Sequence, residues 1–212
     1  MPSDPQTTTA RLRAGEELRL AALEEFAAVG FGATSLQHVA DRAGYAKSSV
    51  LYHYGSKEAL LEAAITPGVA DFEALVDGYL ARTDDARRFE LVEQVVDLLL
   101  AHRLAVHVFL IQGQALHDLP IIARADAAVR RLAAAICDER ESAADGRERL
   151  DDEIRFGMAL GGAAFLLTAG RSYVDPDRVP DDAQLRSALL SAMADLLLPA
   201  DRRPGTGRTT TH

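Results

Sequence analysis

Residues 34–57 read TSLQHVADRAGYAKSSVLYHYGSK, and this stretch decides the fold. Thr34 and Ser35 offer hydroxyl caps to a short helix whose apolar positions Leu36, Val39, Ala40 and Ala43 recur at helical spacing, and Gly44 ends it. A second short helix runs from about Ala46 to Tyr54. Gly55 breaks it, and Ser56 caps the following run, KEALLEAAI. Two helices of roughly eight residues joined by a tight turn are too short to stand alone and must pack on a neighbour.

That neighbour lies immediately upstream. Residues 11–29 carry Leu12, Leu20, Leu23, Phe26 and Ala27 near helical spacing among Arg and Glu, and Gly30 supplies the stop. On the second short helix, a projection at about 100° per residue gathers Ala46, Val50, Leu51 and Tyr54 on one arc and Ser48, Ser49, Tyr52 and His53 on the other. The polar arc suits a major groove. Small hydroxyls allow close approach to base edges, and Lys47 at the border reaches a guanine or a phosphate.

Here the chain resembles the TetR family of transcriptional regulators, over about residues 12–65. The Thr-Ser-hydrophobic opening, the Ala-Gly turn and the closing Ser-Lys-Glu stand in the family's order without a gap. The resemblance implies an all-α homodimer that holds DNA through its N-terminal helix-turn-helix. It places Ser35 and Lys57 on phosphates, Gln37 near a base, Lys47, Ser48 and Ser49 in the groove, and Tyr52 and His53 on the backbone or nearby bases. Three positions depart from the family pattern. Ala46 stands where a serine usually caps the recognition helix, the usual tyrosine falls at Leu51, and Tyr45 replaces a small aliphatic residue, from where it reaches toward the sugar-phosphate rim.

Working outward, the pattern predicts about nine or ten helices. After helix four, which Pro67-Gly68 interrupts or kinks, they fall near 69–81, 86–103, 104–117, 121–142, 147–173 and 181–198. The organisation is thus a disordered arm over 1–10, a helix-turn-helix domain over 11–57, a ligand-binding and dimerisation domain over 58–198, and a polar disordered tail over 199–212. Hydrophobic content of 48% with 6% aromatics fits a helical protein rich in Ala and Leu. The longest uncharged stretch, 156–170, is too short to span a bilayer, and the N-terminus lacks the basic and apolar regions of a signal peptide, so a cytoplasmic protein is expected.

A net charge of −9 argues superficially against nucleic acid. Its distribution matters more: residues 11–57 sum to +1 and residues 58–212 to −9, with Asp4 supplying the remaining −1. If four phosphates are neutralised per subunit, the salt dependence of a dimer has a slope of about −7.

The remaining candidates lie in the body. Phe72, Tyr79, His107, Phe109, Gln112, Gln114 and His117 stand among aliphatic residues as candidate ligand contacts in an apolar cavity with sparse polar anchors, although a core or surface role accounts more readily for any one of them. Gly157, Gly161, Ala164, Phe165, Leu189, Met193 and Leu196 are candidate dimer-interface positions, where small residues let backbones approach, or else pack within one subunit. No cofactor is expected. No metal site is expected either, since His102, His107 and His117 do not share a helix face. Asp151-Asp152-Glu153 fits a helix start rather than catalysis, and Cys137 reads as a buried, inert thiol or, alternatively, a redox sensor. The leading reading is a repressor released from a pseudo-palindromic DNA operator by a small molecule. A helical small-molecule-binding or carrier protein without DNA activity is the alternative, and no enzyme motif such as HExxH or a phosphate loop is present.

Overall fold

A computed structural model describes residues 5–84, 86–138, 146–169, 177 and 180–198. Among these the chain forms α1 (Pro5–Val29), α2 (Leu36–Ala43), α3 (Lys47–Tyr54), α4 (Lys57–Leu80), α5 (Arg87–Ala101), α6 (Arg103–Gln112), α7 (Pro120–Asp138), α8 (Gly146–Ala169) and α9 (Asp182–Leu197), with a 3₁₀ turn at Gly113–Leu116. The all-α class expected from the sequence is the class observed. No single described helix is long and apolar enough to cross a membrane.

Three boundaries differ from expectation. α1 begins at Pro5 inside the stretch read as a disordered arm, because proline pre-sets the helical dihedral at a first position that needs no N–H. α4 runs through Pro67 and Gly68 without a break. Leu60, Leu61 and Ile65 are buried on one side of the proline and Val69, Val76 and Tyr79 on the other, and this burial outweighs the roughly 3 kcal/mol that an interior proline costs. α5 stops at His102, whose ring Nε2 lies 2.7 Å from Asp71 Oδ2. The expected tail over 199–212, the first four residues and the predicted helix ends at 139–142 and 170–173 lie outside the described residues.

The helices assort into two compact units. Among the described residues, the first takes those up to Ala70 together with Leu104–Ala125, and the second takes those of 71–103 and those from Asp126 onward. Packing therefore does not follow a sequence boundary at 57/58.

In the first unit, α1, α2 and α3 pack on one another around Leu18, Ala22, Phe26, Val39 and Val50, all fully buried. The same apolar cluster takes in Leu60 and Leu61 of α4, Val108 of α6 and Ile121 and Ile122 of α7. In the second unit, α9 packs on both α5 and α8. Its start is closed by a capping box, Asp181 accepting from Gln184 N at 2.8 Å, and Arg186 grips Asp97 of α5 through two bonds of 2.5 and 2.9 Å. Cys137 is buried here, on α7.

Candidate nucleic-acid interface

The helix-turn-helix is set by caps that the sequence announces. Ser35 Oγ accepts from His38 N at 3.1 Å to start α2, and Gly44, at φ 75°, lets the chain reverse where a side chain would be strained. α3 begins at Ala46 with no side-chain cap.

Which face of α3 points outward is decided by α1. Gly15 leaves a notch against which His53 packs: a Cβ there would lie 3.2 Å from the imidazole Nδ1. Beside it, Tyr54 Oη donates to the Gly15 carbonyl at 2.6 Å. These contacts, with buried Val50, turn residues 49, 50, 53 and 54 inward and leave Lys47, Ser48, Leu51 and Tyr52 exposed. The outward arc is thus rotated relative to the helical projection. His53 and Ser49 are half-buried and recede from the groove face, whereas Leu51, expected inside, is 44% exposed and Tyr52 70%. Periodicity over two turns cannot reveal this, because the deciding contact comes from a glycine some forty residues away in α1.

Two residues expected on phosphates are already engaged. Lys57 Nζ donates to the carbonyls of Phe31 at 2.8 Å and Thr34 at 3.0 Å and sits 4.3 Å above the Phe31 ring, so it closes the turn between α1 and α2. Tyr45 Oη donates to Glu17 at 2.6 Å rather than reaching outward. That bond raises the tyrosine pKa, and together with the neighbouring Arg13 it lowers that of Glu17. Gln37 remains exposed, its amide resting on Asp41 at 2.7 Å.

The head's other cations are largely paired. Arg13 meets Glu17, Arg19 meets Glu16, and Arg42 bridges Glu24 and Glu25 of α1. Among the described residues, Lys47 and Arg11 are its exposed cations without an ion pair. Arg11 stands one helical turn before Gly15, so α1 carries it on the same side as the α3 notch.

This arrangement, a capped helix, a glycine turn and a second helix turned outward against a third, coincides with residues 18–64, which match the family model described as bacterial regulatory proteins, tetR family. Over these residues the chain is similar to the N-terminal domain of the TetR family. Solved structures extend the likeness of fold to most of the chain. A TetR-family transcriptional regulator from Bordetella parapertussis superposes with a TM-score of 0.66 at 19% identity, covering 85% of this chain and 94% of its own. The ketosteroid transcriptional regulator of Mycobacterium tuberculosis gives 0.66 at 20%, covering 87% and 93%, and a TetR-family member from Streptomyces coelicolor gives 0.63 at 24%, covering 85% and 89%. No curated protein matches the sequence significantly. The side chains that this domain turns outward on α3 are Lys47, Ser48, Leu51 and Tyr52.

The candidate ligand contacts are divided between the two units. Tyr79 is buried and borders a cleft of about 110 Å³ with Gly78, Arg82, Arg87, Glu90, Leu91 and Gln94, and the Arg87 guanidinium lies 5.0 Å over its ring. Phe72 is half-buried elsewhere in that unit. Phe109 and His107 are half-buried on α6, Phe109 against the first unit's core, while Gln114 and His117 are exposed, the imidazole bonding the Gln114 carbonyl at 2.9 Å. Gln112 spends its amide on the backbone of α1 and the turn that follows.

Of the candidate interface positions, Ala164, Leu189 and Met193 are buried within the second unit. Gly161 and Leu196 are half-buried, and Gly157 and Phe165 are exposed. The face that α8 leaves bare is a stripe of Leu150, Ile154, Met158 and Phe165 at helical intervals, with Leu166 beside it. Glycines drew the sequence reading toward backbone approach, whereas the larger apolar residues beside them carry the exposed area.

Proposed function

We propose that this chain is a ligand-responsive transcriptional repressor that binds a pseudo-palindromic DNA operator as a homodimer in the cytoplasm and is released by a small molecule. The observation that carries the DNA half is the outward arc of α3: an exposed lysine, hydroxyl, leucine and tyrosine on a domain of the tetR type. Lys47 contacts a guanine or phosphate near the start of the helix, Leu51 meets a thymine methyl, and Tyr52 bonds or stacks on the backbone. Ser48 allows the helix to lie close, and Gln37 and the Ser35 hydroxyl flank it from α2.

A single short helix reads only a few base pairs, so useful discrimination requires two copies. The stripe on α8 supports pairing, because five large apolar side chains left in water are costly and a symmetric second copy covers them. The cleft beside Tyr79 supports ligand entry near the junction of α4 and α5. Since Lys57 begins α4 and clamps the turn before α2, a shift of α4 on ligand binding alters how α3 is presented.

Selection of bound fragments from random duplex DNA tests the reading. Enrichment of a two-fold symmetric site is expected. Failure to retain any duplex at low salt overturns it in favour of a small-molecule-binding protein without DNA activity.

A further inference from the structure

The turn between α1 and α2 takes its partners from distant elements. The Phe31 N–H donates to Gln112 Oε1 at 2.5 Å, and its carbonyl accepts from Lys57. Gln112 Nε2 in turn donates to the Phe26 carbonyl at 2.8 Å, which also takes the Gly30 N–H at 3.1 Å where α1 ends. One side-chain amide therefore spans the last turn of α1 and the first peptide after it, with donor and acceptor both used. Gly30 makes room: its φ is +88°, and Gln112 Oε1 lies 3.6 Å from where a Cβ would stand.

The root of this amide is equally fixed. Gln112 is the last residue of α6, and the chain beyond it tightens at once into the 3₁₀ turn. Val108, one turn earlier, is fully buried in the same cluster as Phe26. The turn it holds ends at Ser35, the residue that caps α2. Water can satisfy a half-exposed turn, yet here a long side chain from α6 is ordered to do so.

From this geometry we infer that Gln112 is a positioning residue for the DNA-binding head: it sets where α2 starts against α1 and ties that setting to α6. A displacement of α6 is then delivered to the helix-turn-helix at Phe31, on the side opposite the Lys57 clamp. This inference rests on the DNA-binding reading above. Two substitutions in the full-length protein separate it from a merely structural role. Gln112→Leu removes both bonds at similar volume. Gln112→Glu still accepts from Phe31 but sets a carboxylate against the Phe26 carbonyl.

The wild type is first used to select a duplex from a random pool, and affinity is then measured as the spacing between half-sites is varied. Both variants are expected to bind the selected duplex roughly tenfold more weakly and to accept spacings changed by about one base pair that the wild type rejects. Wild-type affinity and spacing preference in both variants overturns the inference, even if their melting temperatures fall. A wild type that selects no duplex overturns the DNA reading itself, which is a different result. Should Gln112→Leu not fold, amide exchange in the wild type decides: Phe31 is expected to be as protected as the amides of α2, and exchange at the rate of an open turn overturns the inference.

Discussion

α3 and α8 each leave a face bare, and the two faces differ in what water does to them. On α3 the exposed arc is small and, Leu51 apart, consists of a lysine and hydroxyl-bearing side chains that water solvates, and its aim is fixed by the Gly15 notch and the Tyr54 bond. On α8 the exposed side chains are Leu150, Ile154, Met158, Phe165 and Leu166, which gain nothing from water. A polar face can wait for its partner; an apolar one of this length needs cover. On the function proposed above, the contrast separates a surface used intermittently, for reading DNA, from one that a second copy covers throughout the life of the homodimer.

The sharpest way to break that contrast is to put charge on α8. Met158→Glu is expected to raise the dissociation constant of the homodimer at least 100-fold, since each substitution acts twice across a two-fold interface, and sedimentation of the purified variant would register the shift to monomer. An unchanged sedimentation coefficient would remove α8 from the interface. Next in size, Lys47→Ala is expected to weaken binding of the selected duplex about 10- to 100-fold while the assembly state stays as it was. Loss of the dimer in that variant would mean that α3 does not act independently of α8.

Smaller effects sharpen the account of the head. Because Lys57 and Arg42 are engaged internally, leaving Lys47 and Arg11 as its unpaired cations, log K should fall with log salt at a slope near −4 rather than −7 for the dimer. Arg11→Gln should then flatten the slope by about 2, measured by fluorescence anisotropy over a salt series. The smallest effect concerns acid. Glu16 and Glu17 titrate below the usual glutamate value, held down chiefly by the Arg19 guanidinium and the Tyr45 hydroxyl. Their contribution to stability is therefore complete above about pH 4.5 and is lost as pH falls through their lowered values. Tyr45→Phe should move the acid transition of thermal unfolding upward slightly and leave duplex affinity nearly unchanged. A large loss of affinity would return Tyr45 to the DNA surface.

The sequence disclosed what local chemistry fixes. Ser35, Gly44 and Gly55 punctuate α2 and α3 where caps and positive φ demand them, and the apolar spacing of 36–43 gives the right buried pair, Val39 and Ala40. It misled where a long-range contact decides. The rotation of α3 depends on Gly15, the loss of Lys57 as a free cation on two carbonyls of the preceding turn, and the role of Gln112 on a backbone more than eighty residues away. The small residues of α8 looked like interface because glycine is costly in a helix, yet Ala164 beside those glycines is already buried within one chain.

The participation of Val108, Ile121 and Ile122 in the cluster around Phe26 sets a rule for building chimaeras. A transplant cut after residue 70 would leave behind three fully or almost fully buried side chains and expose the hydrophobic floor on which its reading helices rest. Grafting this specificity onto another scaffold therefore requires carrying two separate pieces of the gene, the second spanning codons 104–125.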